Sequence, residues 1–187
     1  MNKAFFIDKD GTLVDNSGYP DIIPSDEILY EDVIEGLRHI QIKGYKIIIV
    51  SNQPWIAKGK MSREEVEDVF KSLIEKLSER KIKIDDYYYC PHQSSDNCDC
   101  KKPSPKMIFE AARKHNIHLI ESYTVGDMDS DIYAGINAGT KTILVKTGRG
   151  KDFIGKLNDK VYKTLNNLNE IRDVLWVRNL IRDLIFL

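Results

Sequence analysis

The chain lacks the features of a membrane-spanning, secreted or nucleic-acid-binding protein. No apolar run reaches the roughly 20 residues that cross a bilayer, and the first, residues 4–7, is cut off by Asp8, too early for a signal-peptide core. Lys and Arg number 28 against 29 Asp and Glu, and no long basic run occurs. We therefore expect a cytoplasmic protein of one domain over residues 1–187, with no nucleic-acid or membrane partner.

Cysteine is scarce and confined to one place. The only three, Cys90, Cys98 and Cys100, share a short loop with His92. An odd number at tight spacing disfavours a disulfide framework and favours a metal site. Three thiolates and an imidazole form a complete tetrahedral set for Zn²⁺, with no open position for a substrate water. We predict a structural zinc site, with three unliganded cysteines as the alternative.

Short apolar runs alternate with amphipathic segments along the chain. Strands are predicted at 4–7, 46–50, 86–89, 122–125 and 142–145, and helices at 33–43, 62–80, 104–115, 130–138 and from 165 onward. This alternation predicts an α/β fold, a doubly wound parallel sheet flanked by helices, which binds ligands beyond the carboxyl ends of its strands. The apolar residues 184–187 make a dimer contact conceivable, so we expect a monomer or weak homodimer.

Two carboxylates follow the first predicted strand. Asp8 and Asp10 are two residues apart, so in extended chain their side chains point the same way. Converging carboxylates repel unless a cation or a proton lies between them, and oxygen ligands suit Mg²⁺. Gly11 allows a sharp turn whose amides can face a phosphate. Taken alone, the pattern also fits a solvated acidic turn.

Polar residues also follow other predicted strands. Ser51 and Asn52 come after the second strand and Asp127 after the fourth. Because the carboxyl ends of parallel strands meet at one edge of the sheet, these residues should lie with Asp8. The coincidence favours a binding site over a solvated turn.

Four motifs occur in order between residues 4 and about 148 and together are similar to the haloacid dehalogenase (HAD) phosphatase superfamily. They are Asp8-x-Asp10-Gly11-Thr12, Ser51-Asn52-Gln53, Lys102-Pro103 and Gly126-Asp127-x-x-x-Asp131. The resemblance implies a Mg²⁺-dependent phosphatase that hydrolyses phosphate monoesters through an aspartyl-phosphate. It also implies a HAD-like fold and a small phosphorylated metabolite as the substrate.

The same resemblance assigns roles to the motif residues. Asp8 is expected to be the nucleophile and Asp10 the general acid and base. Mg²⁺ would be held by Asp8, by the Asp10 carbonyl and by Asp127. Asp131 would act on metal-bound waters or serve only as an acidic residue in the first turn of a helix.

The remaining motif residues are expected to contact substrate. Ser51 and the Asn52 amide would bind phosphoryl oxygens, and Lys102 would place a positive charge by nucleophile and phosphate. Four further positions are predicted to bind substrate: Gly11, Thr12, Gln53 and Lys101. Trp55 either faces the substrate or packs inside the protein.

The cysteine loop narrows the resemblance to two families without a large cap domain, the heptose-bisphosphate phosphatases and the histidinol-phosphate phosphatases. Gly18-Tyr19, residues 52–59 and residues 147–150 favour the heptose family, whereas the five residues between His92 and Cys98 favour the histidinol family. Pro54-Trp55, Lys58 and Lys101 depart from the heptose pattern; arginine and lysine differ in how they bind phosphate.

Two alternatives belong to other classes. A receiver-type phospho-acceptor domain also carries an acidic cluster, but it normally places its acceptor after a later strand and lacks a zinc loop. A non-catalytic zinc-stabilised module has no evident need for all of Asp8, Asp10, Lys102 and Asp127.

Overall fold

A computed structural model describes residues 1–17, 28–157 and 159–175. Its six strands form one sheet in the order β3-β2-β1-β4-β5-β6, and every neighbouring pair is parallel. The strands are β1 (Ala4–Ile7), β2 (Lys46–Asn52), β3 (Asp86–Cys90), β4 (Tyr123–Gly126), β5 (Lys141–Val145) and β6 (Lys163–Leu165). The order reverses at β1, as in doubly wound folds, and differs from the 2-1-3-4-5 order of receiver domains.

Within the described ranges, four complete helices cover the sheet: α1 (Val33–Ile42), α2 (Arg63–Glu79), α3 (Lys106–His115) and α4 (Asp129–Ala138). The predicted capping box opens α2, because Ser62 Oγ accepts from the Glu65 amide at 3.1 Å and Glu65 Oε2 accepts from the Ser62 amide at 2.7 Å. Gly139 ends α4 with φ +79°. None of the helices in the described ranges is long and apolar enough to cross a membrane.

Alternate residues of the central strands supply two apolar layers. Phe5 and Ile7 of β1 pack in the cluster that contains the buried faces of α1 and α2, whereas Phe6 packs with residues of α3 and α4 on the other face. Each such side chain contributes roughly 1.5–3 kcal/mol when buried. Burial on both faces explains why the central strands are continuous apolar runs in the sequence.

The structure corrects several boundaries. β2 extends to Asn52, so Ser51 lies inside the strand. α3 begins at Lys106 with Pro105 rather than Ser104 at the N-cap position, although Ser104 Oγ still accepts from the Lys106 amide at 3.3 Å. β6 was not predicted because it has three residues, of which only Leu165 is buried. The C-terminal helix begins at 171 rather than 165.

Two of the connections above the carboxyl edge are plain loops in the described residues. Neither 8–17 and 28–32, between β1 and α1, nor 53–62, between β2 and α2, contains a helix or a strand. The described parts of these two connections therefore build no cap domain. Gly18-Tyr19 and the apolar residues 184–187, which we singled out in the sequence, lie outside the described residues.

Candidate active site

The loop after β1 turns back on itself and places Asp8 at the carboxyl edge. The Asp8 amide continues the sheet by donating to the Val125 carbonyl at 2.9 Å. The Leu13 and Val14 amides then donate to the Lys9 carbonyl at 2.9 and 3.1 Å, which closes a tight turn. Asp8 is therefore fixed from both sides, by the strand before it and by the turn after it.

Lys102 joins the predicted nucleophile to α4. Its Nζ lies 2.6 Å from Asp8 Oδ1 and 2.6 Å from Asp131 Oδ1, and it donates to the Val50 carbonyl at 2.7 Å. The residue is only 5% exposed. A buried ammonium is strongly unfavourable unless anions surround it, so these two carboxylates account for its position.

The buried charges perturb one another. Burial raises the pKa of Asp8, and the Asp131 carboxylate raises it further. Lys102 offsets these two effects only in part, so the pKa of Asp8 lies well above its usual value. For Lys102, burial lowers the pKa, but Asp131 and Asp8 outweigh that effect and raise it. Burial and Asp131 raise the pKa of Asp127 to about 7. The raised pKa values of Asp8 and Asp127 indicate that the carboxylates of this cluster carry more negative charge than the single ammonium of Lys102 balances.

Asp127 has one carboxylate oxygen engaged and the other bare. Oδ2 accepts from the Arg149 amide at 2.8 Å, while Oδ1 is buried with no hydrogen-bond partner. Oxygens of Asp8, Asp127 and Asp131 lie within 4.8 Å of one another. A buried, oxygen-only set with an unsatisfied carboxylate oxygen fits a hard divalent cation such as Mg²⁺. The Asp10 carboxylate is not among these three.

Glycines make room for Asp127. A Cβ on Gly11, at φ +88°, would lie 2.3 Å from Asp127 Oδ2. A Cβ on Gly148, at φ +50°, would lie 2.2 Å from the same oxygen and 2.6 Å from the Gly11 Cα. Thr147 Oγ1 also donates to the Gly11 carbonyl at 2.7 Å. The loop after β5 thus packs on the loop after β1, and Asp127 lies between them.

Asp10 points to the other side of the loop and is held there. Its Oδ1 accepts from Lys9 Nζ at 2.6 Å. Its Oδ2 accepts from Gln53 Nε2 at 2.6 Å and from Ser51 Oγ at 3.4 Å. Ser51 and Gln53, predicted to contact substrate, therefore both contact the predicted general acid.

Other residues predicted to bind substrate are engaged within the protein. The Gly11 amide, expected to face a phosphate, donates to the Val14 carbonyl at 2.8 Å. Asn52 and Lys102 are joined twice: Asn52 Oδ1 accepts from the Lys102 amide at 3.0 Å, and Asn52 Nδ2 donates to the Lys102 carbonyl at 3.3 Å. Thr12 Oγ1 is buried with no hydrogen-bond partner.

Trp55 packs inside the protein. It is 3% exposed, and the ammonium groups of Lys58 and Lys60 each lie 5.3 Å from its ring centre. Cations at this distance from an indole face are attracted to it. Of the two roles considered for Trp55, the structure favours packing.

The four predicted zinc ligands come together in the loop after β3. The Cys90 Sγ lies 3.0 Å from Cys100 Sγ and 3.6 Å from Cys98 Sγ and from His92 Nδ1, and all four ligand atoms lie within 4.8 Å of one another. Three sulfurs and one imidazole nitrogen this close together are the ligand types and number that Zn²⁺ takes, although two sulfurs on a zinc ion would lie farther apart than Cys90 and Cys100 do, at roughly 3.8 Å. Although burial raises the pKa of Cys98, hydrogen bonds from backbone amides lower it to about 7, whereas burial raises the pKa of Cys90 and of Cys100.

The cysteine loop is linked to the acidic cluster. Lys101 Nζ donates to the His92 carbonyl at 3.3 Å, so this residue, predicted to bind substrate, braces the loop. Cys100, Lys101 and Lys102 are consecutive. The position of Lys102 therefore depends on the loop.

Reasoning from the sequence missed three contributors to the site: Lys9, Gly148 and the Arg149 amide. Lys9 lies between two motif aspartates and looks like a solvated residue. Its complete burial was not anticipated. The motif Thr147-Gly148-Arg149-Gly150 was noticed, but a backbone amide that binds an aspartate leaves no mark in a sequence.

Comparison with known proteins identifies the class first. A family model described as HAD-hydrolase-like matches residues 99–171. A structure of D,D-heptose 1,7-bisphosphate phosphatase from B. bronchiseptica, complexed with magnesium and phosphate, superposes with a TM-score of 0.85 at 23% identity and covers 95% of this chain and 99% of that one. A putative HAD-like phosphatase from Mesorhizobium loti superposes with a TM-score of 0.72 at 26% identity, over 79% of this chain and 74% of that one. The parallel sheet with its acidic carboxyl edge is thus that of a HAD-like hydrolase.

Curated relatives are more specific. D-glycero-β-D-manno-heptose-1,7-bisphosphate 7-phosphatase of Haemophilus influenzae is 36% identical over 156 residues, covering 80% of this chain and 84% of that protein. The Escherichia coli K12 protein of the same name is 35% identical over 155 residues, covering 78% and 80%. The chain belongs to this family of HAD-like phosphatases.

Proposed function

We propose that this phosphatase removes the 7-phosphate of D-glycero-β-D-manno-heptose 1,7-bisphosphate with the help of Mg²⁺. The names of the curated relatives support the substrate. The observation that carries the chemistry is the buried cluster in which Lys102 contacts Asp8 and Asp131 beside the unpartnered Oδ1 of Asp127. That arrangement suits a phosphate dianion, whose negative charge must be neutralised before an anionic oxygen can attack it.

Asp8 and Asp10 are proposed to share the reaction. An Asp8 oxygen attacks phosphorus, the bond to the leaving oxygen breaks, and that oxygen takes a proton from the Asp10 carboxylic acid. Water then attacks the phosphate on Asp8 and gives a proton to the Asp10 carboxylate. Inorganic phosphate leaves, and both residues return to their starting state.

The groups around them are proposed to hold charge in place. Lys102 keeps a positive charge against Asp8 throughout. Asp8, Asp127 and the Asp10 carbonyl would hold Mg²⁺, which would supply positive charge for the phosphoryl oxygens. Asp131, paired to Lys102, fixes the lysine. Ser51, whose hydroxyl donates to Asp10 Oδ2 at 3.4 Å, is proposed to bind a phosphoryl oxygen.

We also propose that the cysteine loop binds a structural Zn²⁺. All four ligand positions are filled by Cys90, His92, Cys98 and Cys100, so none is left for substrate. The ion would order the loop that ends in Lys102 and would act on catalysis only through that lysine.

The test is phosphate release with Mg²⁺ from a panel of heptose 1,7-bisphosphate, histidinol phosphate and p-nitrophenyl phosphate. Asp8→Asn removes the nucleophile and is expected to abolish release. Asp68→Asn, an equal change at an exposed helix residue paired with Lys71, should leave it intact. Selective turnover of the bisphosphate that Asp8→Asn abolishes supports the proposal.

Other outcomes decide against it in distinct ways. Preference for histidinol phosphate would assign the chain the substrate favoured by its short cysteine loop. Turnover that survives Asp8→Asn would refute the covalent route through Asp8. No release from any member of the panel would refute the proposed activity.

A further inference from the structure

We propose that Lys9 and Gln53 are positioning residues that hold the Asp10 carboxylate for proton transfer to the leaving group. The inference rests on the proposed function, in which Asp10 is the general acid. It assigns Lys9 a role that no motif suggested, and it moves Gln53 from substrate binding to the support of Asp10.

Lys9 is a fully buried cation directed at Asp10. Its side chain is 0% exposed, and its Nζ lies 2.6 Å from Asp10 Oδ1 and 5.7 Å from the centre of the Phe70 ring on α2. Removing an ammonium from water is costly unless an anion compensates for it, so this burial ties the position of Lys9 to that of Asp10. Asp10 itself remains 25% exposed and open to a ligand.

Gln53 holds the second oxygen of the same carboxylate. Its Nε2 lies 2.6 Å from Asp10 Oδ2 and 3.0 Å from Ser51 Oγ. A carboxylate only accepts hydrogen bonds, so the amide must present its NH₂ group. The Gln53 amide nitrogen of the main chain donates to the Cys90 carbonyl at 2.7 Å, which anchors the residue beside β3.

Together the two donors fix the carboxylate plane without blocking it. Each carboxylate oxygen has two acceptor positions: Gln53 and Ser51 occupy both positions of Oδ2, whereas Lys9 occupies one position of Oδ1 and leaves the other for the transferred proton. A misplacement of about 1 Å is enough to cost a reaction step about 100-fold. Lys9 and Gln53 thus act on the reaction through Asp10, without touching the phosphate.

The nature of the leaving group separates this role from a merely structural one. An alkyl alkoxide is a poor leaving group and needs the Asp10 proton as the phosphorus–oxygen bond breaks. A p-nitrophenolate is stable as an anion and needs none. Loss of a positioning residue should therefore slow the release of an alcohol and spare the release of p-nitrophenol.

The experiment measures leaving-group release in a single turnover with enzyme in excess, because this reports phosphoryl transfer to Asp8 before water attacks. Gln53→Met and Lys9→Met keep the length of the side chain and remove the donor. We expect a loss of about 10- to 100-fold with the best alkyl phosphate of the panel, and less than about threefold with p-nitrophenyl phosphate.

Matched controls come from the opposite end of the sheet. Gln41→Met removes an amide that donates to the Lys81 carbonyl at 3.2 Å, and Lys46→Met removes an ammonium paired with Asp85 at 2.9 Å. Neither side chain contacts Asp10 in the structure. Both controls should leave the ratio of the two rates unchanged.

Equal losses with both substrates, or no loss with either, would overturn the positioning role and leave the proposed function standing. A higher KM at unchanged kcat in Gln53→Met would overturn it as well and return Gln53 to substrate binding. Failure of the unmodified enzyme to hydrolyse any phosphate would instead refute the proposed function, and the inference with it.

Discussion

The acidic cluster and the cysteine loop both gather ionisable side chains, but they differ in how the chain builds them. Asp8, Asp127 and Asp131 come from two strand ends and one helix, and all three are buried. Asp8 precedes the other two by more than a hundred residues in the sequence. The cysteine loop draws its four ligands from residues 90–100. One cluster depends on the whole sheet, and the other is local.

The two clusters also differ in the atoms they offer to a metal ion. Carboxylate oxygens suit a hard cation that keeps open positions for water or phosphate, whereas thiolates and imidazole fill a tetrahedral zinc ion. Of the two clusters, only the acidic one therefore has positions at which ligands can exchange. The second can influence the reaction only through the residues that follow it in the chain.

The largest effect on activity should follow from removing the Lys102 ammonium from the acidic cluster. Lys102→Met leaves Asp8 and Asp131 facing each other without a counter-charge. We expect kcat to fall about 100- to 1,000-fold, since that is the usual cost of losing a preorganised electrostatic contact. Steady-state kinetics measure this, with Lys106→Met as the control, a nearby exposed lysine paired with Asp99 at 2.8 Å. Similar losses of kcat in Lys102→Met and Lys106→Met would contradict the role assigned to the Lys102 charge.

Breaking the cysteine loop should have a smaller, indirect effect. Cys98→Ser removes a predicted zinc ligand, so we expect loss of bound zinc, a lower Tm and a fall in kcat of about 10-fold as Lys102 loses its support. Zinc content, thermal unfolding and kinetics measure the three consequences. Ser95→Ala, an exposed position in the same loop, is the control. Full activity in a zinc-free Cys98→Ser protein would show that the loop does not position Lys102.

A substitution at Gly148, which lies against Asp127, tests how closely the acidic cluster is packed. Gly148→Ala places a methyl group against Asp127 Oδ2, so the concentration of Mg²⁺ for half-maximal activity should rise about 10-fold. Gly155→Ala is a matched control, because Gly155 also has a positive φ (+83°) but its Cβ would meet nothing within 4 Å. Equal Mg²⁺ requirements in the two variants would refute the role of Gly148.

The smallest effect concerns an aspartate outside both clusters. Burial alone raises the pKa of Asp86, but hydrogen bonds from Lys114, His115 and Tyr88 lower it from 3.8 to about 2. Because the folded-state pKa lies below the unfolded one, this stabilisation is complete above about pH 5 and is lost as the pH falls from about 4 to 2. Asp86 is partly exposed, so screening limits the contribution to about 1 kcal/mol.

We therefore expect Asp86→Asn to lower the free energy of unfolding by about 1 kcal/mol at pH 6 and by roughly half as much at pH 3. Urea unfolding at the two pH values measures it, with the exposed Asp68→Asn as the control. A deficit independent of pH would contradict the cause assigned to the low pKa of Asp86. Asp127, whose pKa is raised to about 7, is the opposite case within the same protein.

Much of the architecture was predictable. The alternation of apolar and amphipathic segments predicted five of the six strands and the doubly wound class. It missed β6, because an exposed edge strand of three residues has no apolar run. The capping box at Ser62 predicted the start of α2, whereas Ser104 was taken as a cap for α3 although Pro105 occupies that position.

The amino-acid sequence alone shows which groups are available: carboxylates after β1 and β4, a lysine before Pro103 whose charge was expected beside Asp8, and four ligands in one loop. Local spacing carries that information, because adjacent strand ends meet at one edge and a short loop can close on an ion. Three contacts became known only from the folded chain: Lys102 also pairs with Asp131, Lys9 is buried against Asp10, and Gln53 contacts the same Asp10 carboxylate. These contacts depend on burial and on distances between segments far apart in the chain, which no local pattern encodes.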